Sequence, residues 1–225
     1  FGPGESMVMK ITYARLRAGR AEMTIAAGEH EGRPAWRIEQ RVRSEGFFAW
    51  LFRYRVDNQL AATWDPASGC SYGLSRRLRQ GRHARDQEIR IDPKGRVAVK
   101  EGRGDGIAFA IEPCVLDVLS AFYVARARGL SLDGTVSVPV FDAGRRYELV
   151  FRRLGRTTMD VDALGGKVAV QVVEPLVPPG SGLFAQEGRL ILWVTDDERR
   201  IPVRAQSEVA VGSVTVELER YTAPR

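Results

Sequence analysis

Most of the chain consists of short segments in which apolar and polar residues alternate. The segment of residues 35–43 shows the pattern clearly, because charged side chains occupy one of its two faces. The other face carries Trp36, Ile38, Gln40 and Val42. A period of two residues is typical of a β-strand with one buried face. Turn sequences such as Asp133-Gly134 separate these segments roughly every ten residues, as hairpins require.

The alternating segments predict one domain, residues 1–225, that is mainly β. We expect a single antiparallel meander of about ten strands or more, since that many twisted strands do not remain flat. The expected shape is therefore a strongly curved sheet, a half-barrel. The stretch at residues 175–182 is rich in proline and glycine, and we interpret it as a long loop between two strands rather than a domain boundary.

Residues 113–129 have a different period, because their apolar positions recur at helical spacing. Pro113 suits a first helical turn, and Gly129 suits the position after the last turn. Asp117 near the start and Arg126 near the end complement the helix dipole. We predict one amphipathic helix that packs on the concave face of the sheet.

The segment GFFAWLFRY, residues 46–54, interrupts the alternation with an aromatic run. Both neighbouring segments alternate, so a strand buried on both faces is not expected here. We predict a turn of helix or a loop folded over the open end of the sheet, where the aromatic side chains either cap the core or line a ligand mouth. The candidate ligand-binding residues are Phe47, Phe48, Trp50, Leu51 and Phe52, with Phe184 opposite them.

The chain is modestly basic, with 34 Lys and Arg against 28 Asp and Glu and a net charge of +6. Arginine suits phosphate and carboxylate groups, but no aromatic residues interleave with the arginine cluster at residues 76–90, as single-stranded nucleic-acid platforms require. We expect no specific nucleic-acid binding. We expect a solvent-exposed hairpin with weak, salt-sensitive contact to an anionic membrane surface or polyanion. Its candidate contact residues are Arg76, Arg77, Arg79, Arg82 and Arg85.

Motifs of catalysis and cofactor binding are missing from the sequence. It contains no GxSxG, no SxxK and no Walker or dinucleotide glycine loop. The two histidines, His30 and His83, stand in turn contexts, and the acidic run at residues 196–198 is interpreted as a hairpin turn rather than a metal site. We therefore expect no enzyme activity, no metal and no cofactor. No run of about 18 apolar residues exists, so we expect no membrane-spanning segment.

Cys70 and Cys114 are the two cysteines of the chain and a candidate disulfide. In a reducing compartment they would be two core thiols, and in an oxidising compartment they are free to pair. The sequence by itself leaves both possibilities open.

Three stretches of the sequence resemble one bacterial family. They are GES with the following KITYARLRAGRAEMTI, then residues 117–150 around an LSA-aromatic-Tyr core, and then residues 188–218. The family is the one catalogued as domain of unknown function three thousand one hundred and eight, and the likeness covers nearly the whole chain. Its members generally look exported, which implies a periplasmic or otherwise exported protein. Its plan is similar to that of the lipoprotein carriers LolA and LolB, a fold analogy that does not fix function.

The resemblance and the aromatic run together predict a non-catalytic envelope protein that binds a lipid or another apolar ligand in the mouth of the half-barrel. The alternative is a structural or interaction module that docks on an envelope partner protein through the same aromatic residues. An enzyme with an unrecognised site is the third hypothesis. It requires a nucleophile–base pair or a metal set, and neither is visible in the sequence.

Overall fold

The structure is a computed structural model that describes residues 1–45, 55–92, 96–101, 106–142, 144–177, 189–208 and 213–225. The described strands are β1 (Ser6–Tyr13), β2 (Leu16–His30), β3 (Arg33–Ser44), β4 (Asp57–Trp64), β5 (Ser71–Gln80), β6 (His83–Asp92), β7 (Arg96–Glu101), β8 (Ile107–Ala110), β9 (Thr135–Asp142), β10 (Arg145–Val161), β11 (Gly166–Leu176), β12 (Leu190–Thr195), β13 (Pro202–Glu208) and β14 (Ser213–Thr222). One α-helix, α1 (Val118–Arg128), and one 3-10 turn (Asp162–Leu164) complete the described elements.

The described strands form one 14-stranded antiparallel sheet in the order β8-β7-β6-β5-β4-β3-β2-β1-β14-β13-β12-β11-β10-β9. Each strand pairs with its neighbour in the chain, except that β1 and β14 join the two halves and that β8 and β9 are the two edges. The prediction of a mainly β, antiparallel meander with one helix is confirmed in the described part of the chain. The backbone pairing does not close the sheet into a barrel.

The sheet is strongly curled, as the short distance between its two edge strands shows. Fourteen strands spaced about 4.8 Å apart would separate the edges of a flat sheet by roughly 60 Å. Instead, the ring centroids of Phe109 in β8 and Phe141 in β9 are 5.4 Å apart. Curling brings the inward side chains of the two halves into one core, which includes Ile89 and Val97 from one half and Val138 and Leu149 from the other.

The helix begins later than residues 113–129 suggested. Asp117 is its N-cap and accepts hydrogen bonds from the backbone N–H groups of Leu119 and Ser120. The residues before it are used differently, since the Leu116 N–H donates to Pro139 O at 2.9 Å and the Phe141 N–H donates to Leu116 O at 2.9 Å. The backbone of this segment therefore pairs with β9 and is not available for a helical turn.

The C-terminal end of the helix matches the prediction, and Gly129 is its C-cap with φ 70°. Buried side chains lie on more sides of the helix than an amphipathic pattern implies, because four consecutive residues from Val118 to Ala121 are all buried. A helix that is buried around most of its circumference packs inside a fold rather than on its surface. Here it lies on the concave side of the curled sheet.

Strand connections alternate between two ends of the sheet, because consecutive strands are antiparallel. One end carries the start of β1, the start of β5 and the β12–β13 turn, residues 196–201, and we call it the helix end. The helix is tied to it, since Arg126 Nε donates to the carbonyl oxygen of Arg199 at 2.6 Å. The opposite end, which carries the β1–β2 and β5–β6 turns, we call the hairpin end.

Candidate functional site

An apolar cavity of about 690 Å³ lies between the helix and the inner face of the sheet. Both halves of the sheet contribute to its wall, together with the helix. Representative lining residues are Met9, Met23, Val42, Leu60, Leu119, Phe122, Phe151, Val173, Leu192 and Val216. The predicted half-barrel thus contains a real internal space, and it is formed by inward side chains that the alternating pattern already placed on one face.

The inward side chains become less buried toward the hairpin end. Along β1, Met7 is 1% exposed and Met9 is 5% exposed. Ile11, the next inward-facing residue toward the hairpin end, is only half-buried. Strand β14 repeats this trend, with Leu218 buried and Val216 half-buried. The helix covers the wall near the helix end, and in the described part of the chain the apolar wall beyond it is less buried.

Two arginines line the cavity at the helix end, and the first of them is Arg126. Its Nη2 donates to Glu5 Oε1 at 2.7 Å and its Nη1 to Glu5 Oε2 at 3.1 Å. The Glu5 side chain is 1% exposed and that of Arg126 is 9% exposed, and the Tyr221 hydroxyl donates a hydrogen bond to Glu5 Oε1 at 2.9 Å. The positive charge of Arg126 is therefore balanced inside the protein.

The second arginine, Arg200, has only backbone acceptors among the described residues. Its Nη1 donates to the carbonyl oxygens of Arg126 at 3.1 Å and Glu198 at 3.0 Å. Its guanidinium packs against the helix C-cap, because a Cβ atom on Gly129 would lie 2.5 Å from Nη2. Glycine is required at this position by that contact and by its positive φ.

The Tyr123 hydroxyl is buried and has no hydrogen-bond partner within the described ranges. Tyr123 also lines the cavity, one helical turn before Arg126. Burial raises the pKa of this phenol, and the nearby Glu5 carboxylate adds to the effect. The side chain is therefore a neutral group at physiological pH.

Cys70 and Cys114 form a disulfide with a Cα–Cα distance of 4.9 Å. Cys70 directly precedes β5, and Cys114 lies three residues before the helix N-cap, so the bond fixes the approach to the helix rather than the helix itself. Ser71 continues the connection, since its hydroxyl donates to Asp117 Oδ2 at 2.6 Å. Complete burial raises the pKa of Asp117, although these hydrogen bonds favour its ionised form.

The arginine hairpin is formed by β5 and β6, but the expectation that all of its arginines are exposed is wrong for Arg76. This side chain is 7% exposed and makes an ion pair with the buried Asp142 of β9. Arg76 also donates to Gln87 at 3.2 Å. It occupies an inward position of β5, between Leu74 and Leu78, and therefore ties β5 to an edge of the sheet.

The other arginines of the hairpin are at least partly exposed. Arg77, Arg82 and Arg85 are exposed, and Arg79 is half-buried and paired with Asp86 at 2.7 Å. Contact of these residues with anionic surfaces stays a prediction. The turn of the hairpin adjoins the residue after the aromatic run, because the Gly81 N–H donates to Arg55 O at 2.8 Å.

The predicted aromatic site residues lie outside the described part of the chain. They are Phe47, Phe48, Trp50, Leu51, Phe52 and Phe184. The described strand ends on either side of these residues lie at the hairpin end, where β3 ends and β4 begins and where β11 ends and β12 begins. Their role as lid, docking patch or core remains a prediction.

No group of three or more His, Cys, Asp or Glu side chains in the described ranges is arranged to hold a metal ion. None of the helices in the described part of the chain has the length and apolar composition that crossing a bilayer requires.

Sequence reasoning missed the charged residues at the helix end. Glu5 and Arg200 stood in motifs that only marked the family resemblance, and Arg126 was noted only for its position near the end of the helix, where it complements the dipole. No local pattern links Glu5 to Arg126, which is 121 residues away. The apolar half of the site had a sequence signal, the alternation, whereas the polar half depends on tertiary contacts.

Comparison with solved structures identifies similar folds. A β-barrel-like protein of the domain of unknown function DUF1849 from Brucella abortus has a TM-score of 0.60 and 10% sequence identity, over 96% of each chain. The hypothetical protein CT021 from Chlamydia trachomatis has a TM-score of 0.41 and 11% identity, over 98% of this chain and 87% of that one. The first likeness supports the curled, barrel-like fold and carries no function with it.

No match to the sequence was found among curated proteins. A family model, in contrast, matches residues 8–219, which contain nearly all of the sheet and the helix described above. The chain therefore belongs to DUF3108, a family of proteins of unknown function.

Proposed function

We propose that this protein is a non-catalytic, exported protein that binds a lipid or another apolar ligand in its cavity. The observation that carries the proposal is the cavity of about 690 Å³ with walls of apolar side chains. Volumes of roughly 300–1,000 Å³ are usual for small-ligand sites. Half-buried inward side chains such as Val216 and Leu192 gain burial when a ligand fills the space, at about 0.8 kcal/mol per buried methylene.

The composition of the wall supports binding rather than catalysis. Its described residues include no histidine, cysteine, serine, lysine, aspartate or glutamate. Nucleophilic and general acid–base catalysis mostly use such groups within hydrogen-bond reach of a substrate, and Tyr123, a residue type that can also serve, is a neutral phenol with a raised pKa here. A ligand held in this cavity would meet hydrocarbon side chains almost everywhere, which favours an apolar chain as the occupant.

The disulfide supports export, since disulfides persist mainly in oxidising compartments such as the periplasm. The exported character that the family resemblance implied points the same way. The likeness in plan to LolA and LolB also fits a carrier of apolar ligands, as an analogy of fold alone.

Binding can be tested with N-phenyl-1-naphthylamine, an uncharged dye that fluoresces in apolar sites. Val216 faces the cavity from β14. The substitution Val216→Trp should fill part of the space and weaken dye binding at least about tenfold. Thr215→Trp is the matched control, because adjacent residues of a strand point to opposite faces. The proposal fails if the unmodified protein binds no dye, or if both variants bind it as the unmodified protein does. Independently of the dye assay, native mass spectrometry of gently purified protein would identify any co-purified lipid.

A further inference from the structure

The two arginines at the helix end of the cavity differ in charge balance. Arg126 is neutralised by Glu5, and its Nε, Nη1 and Nη2 all have acceptors. Arg200 lines the same cavity, but its acceptors are two carbonyl oxygens, and no carboxylate of the described residues pairs with it. One half-buried positive charge beside an apolar space is thus left without a counter-charge.

Two donors of Arg200, Nε and Nη2, have no acceptor in the described part of the chain. They form one edge of the planar guanidinium group. A Cβ atom on Gly129 would lie 2.5 Å from Nη2, 2.6 Å from Cζ and 2.8 Å from Nε. Nearly equal distances to these three atoms place the C-cap over the flat face of the guanidinium, so its Nε–Nη2 edge is not covered by Gly129.

A paired edge of this kind matches the two oxygens of a carboxylate or the oxygens of a phosphate, which accept two parallel hydrogen bonds. Charge distinguishes a carboxylate from a phosphate monoester. Arg200 offers one unbalanced positive charge, which a carboxylate balances. A phosphate monoester carries close to two negative charges at neutral pH and would leave one of them uncompensated beside apolar walls, which is unfavourable.

We propose that Arg200 binds the carboxylate head of a long-chain carboxylic acid whose hydrocarbon chain occupies the cavity. This inference rests on the proposed function, because it places the chain of the ligand in the same apolar space. It adds the chemical class of the ligand and the residue that recognises its head group. The apolar wall supplies affinity for the chain, and Arg200 selects the carboxylate over uncharged heads.

The test uses the full chain and three competitors with the same 12-carbon chain: laurate, 1-dodecanol and dodecyl phosphate. Each competitor displaces N-phenyl-1-naphthylamine from the unmodified protein and from the variants R200Q, R200K and R199Q. R199Q is the matched control, because Arg199 lies in the same turn, pairs with Asp197 and is 62% exposed. R200K keeps the charge but loses the fork of donors.

We expect laurate to bind about tenfold more tightly than dodecanol and more tightly than dodecyl phosphate, since charge-assisted hydrogen bonds exceed neutral ones in strength. R200Q should remove this preference and leave dodecanol unchanged, R200K should retain part of it, and R199Q should retain all of it. Equal affinity for laurate and dodecanol in the unmodified protein would overturn the inference. So would an equal loss for both ligands in R200Q, which would show that Arg200 only caps the helix.

Preferential binding of dodecyl phosphate would also overturn it, in favour of a phosphate-headed ligand. These outcomes are distinguishable from failure of the proposed function itself. If the dye binds and dodecanol displaces it without any head-group preference, the cavity binds apolar ligands and only the role of Arg200 is wrong. If neither the dye nor any competitor binds, both proposals are wrong.

Discussion

Replacing Glu5 with glutamine removes one charge from the buried ion pair at the helix end. The side chain of Glu5 is 1% exposed and that of Arg126 is 9% exposed, so water cannot replace the lost partner. Glutamine keeps the volume of the side chain, but it has one oxygen acceptor where the carboxylate has two. Arg126 is then left charged and unbalanced inside the fold.

The expected loss of unfolding free energy is about 3–5 kcal/mol, the usual cost of removing one partner of a buried pair. For a chain of 225 residues this corresponds to a fall in Tm of roughly 10 °C. The matched control is Glu39→Gln, because Glu39 pairs with Arg37 on the outer face of β3 and both side chains are more than half exposed. Exposed pairs contribute only about 0–1 kcal/mol.

Equilibrium unfolding in urea, followed by tryptophan fluorescence, measures both free energies. The double variant Glu5→Gln/Arg126→Met removes both charges and should recover part of the loss, since no unbalanced charge remains. The reasoning is refuted if Glu5→Gln costs no more than Glu39→Gln. It is also refuted if the double variant is less stable than the sum of the single substitutions predicts.

Three further predictions follow from individual contacts. Replacing both Cys70 and Cys114 with serine should cost about 4 kcal/mol in urea unfolding, because the bond closes a loop with a sequence separation of 44. Gly129→Ala should lower thermal stability by about 1–2 kcal/mol through its positive φ and the contact with Arg200; an unchanged Tm would contradict this. Hydrogen bonds from arginine side chains hold the pKa of Glu174 below its usual value. Its contribution is therefore complete above the ordinary glutamate pKa and is lost as the pH falls through the lowered one. Glu174→Gln should be less stable than the unmodified protein at neutral pH, and urea unfolding at decreasing pH should show this difference shrinking below the ordinary glutamate pKa.

The sheet could be predicted from the sequence because the period of a strand is a local property. Residues 35–43 lie in β3, where Ile38 is buried and Arg37 is exposed, as the alternation indicated. The alternation in β5 also indicates that the Arg76 side chain faces inward. It shares a face of β5 with Leu74 and Leu78, both less exposed than the outward Ser75 and Arg77 between them. The composition of the cluster suggested exposure, whereas the period indicated burial.

The start of the helix and the polar part of the site could not be predicted in this way. Pro113 fits a first helical turn by local rules, but Leu116 pairs with β9, a strand that comes later in the chain. Glu5 and Arg126 belong to residue types that are mostly exposed, and nothing near either of them in the sequence indicates burial. Their burial follows from the curl of the sheet, which brings the start of β1 to the end of the helix.

The contacts at the helix end connect the stability of the fold to the proposed ligand site. The helix is held at both ends, by Ser71 on its N-cap Asp117 and by Glu5 on Arg126, so it cannot settle into the apolar space beside it. The backbone oxygen of Arg126 also accepts a hydrogen bond from Arg200. The Glu5–Arg126 pair thus positions the group that we propose to bind a carboxylate. The double variant Glu5→Gln/Arg126→Met leaves no unbalanced charge of this pair beside the cavity. It should therefore reduce the preference for laurate over dodecanol as well as stability, because both depend on where the last turn of the helix lies.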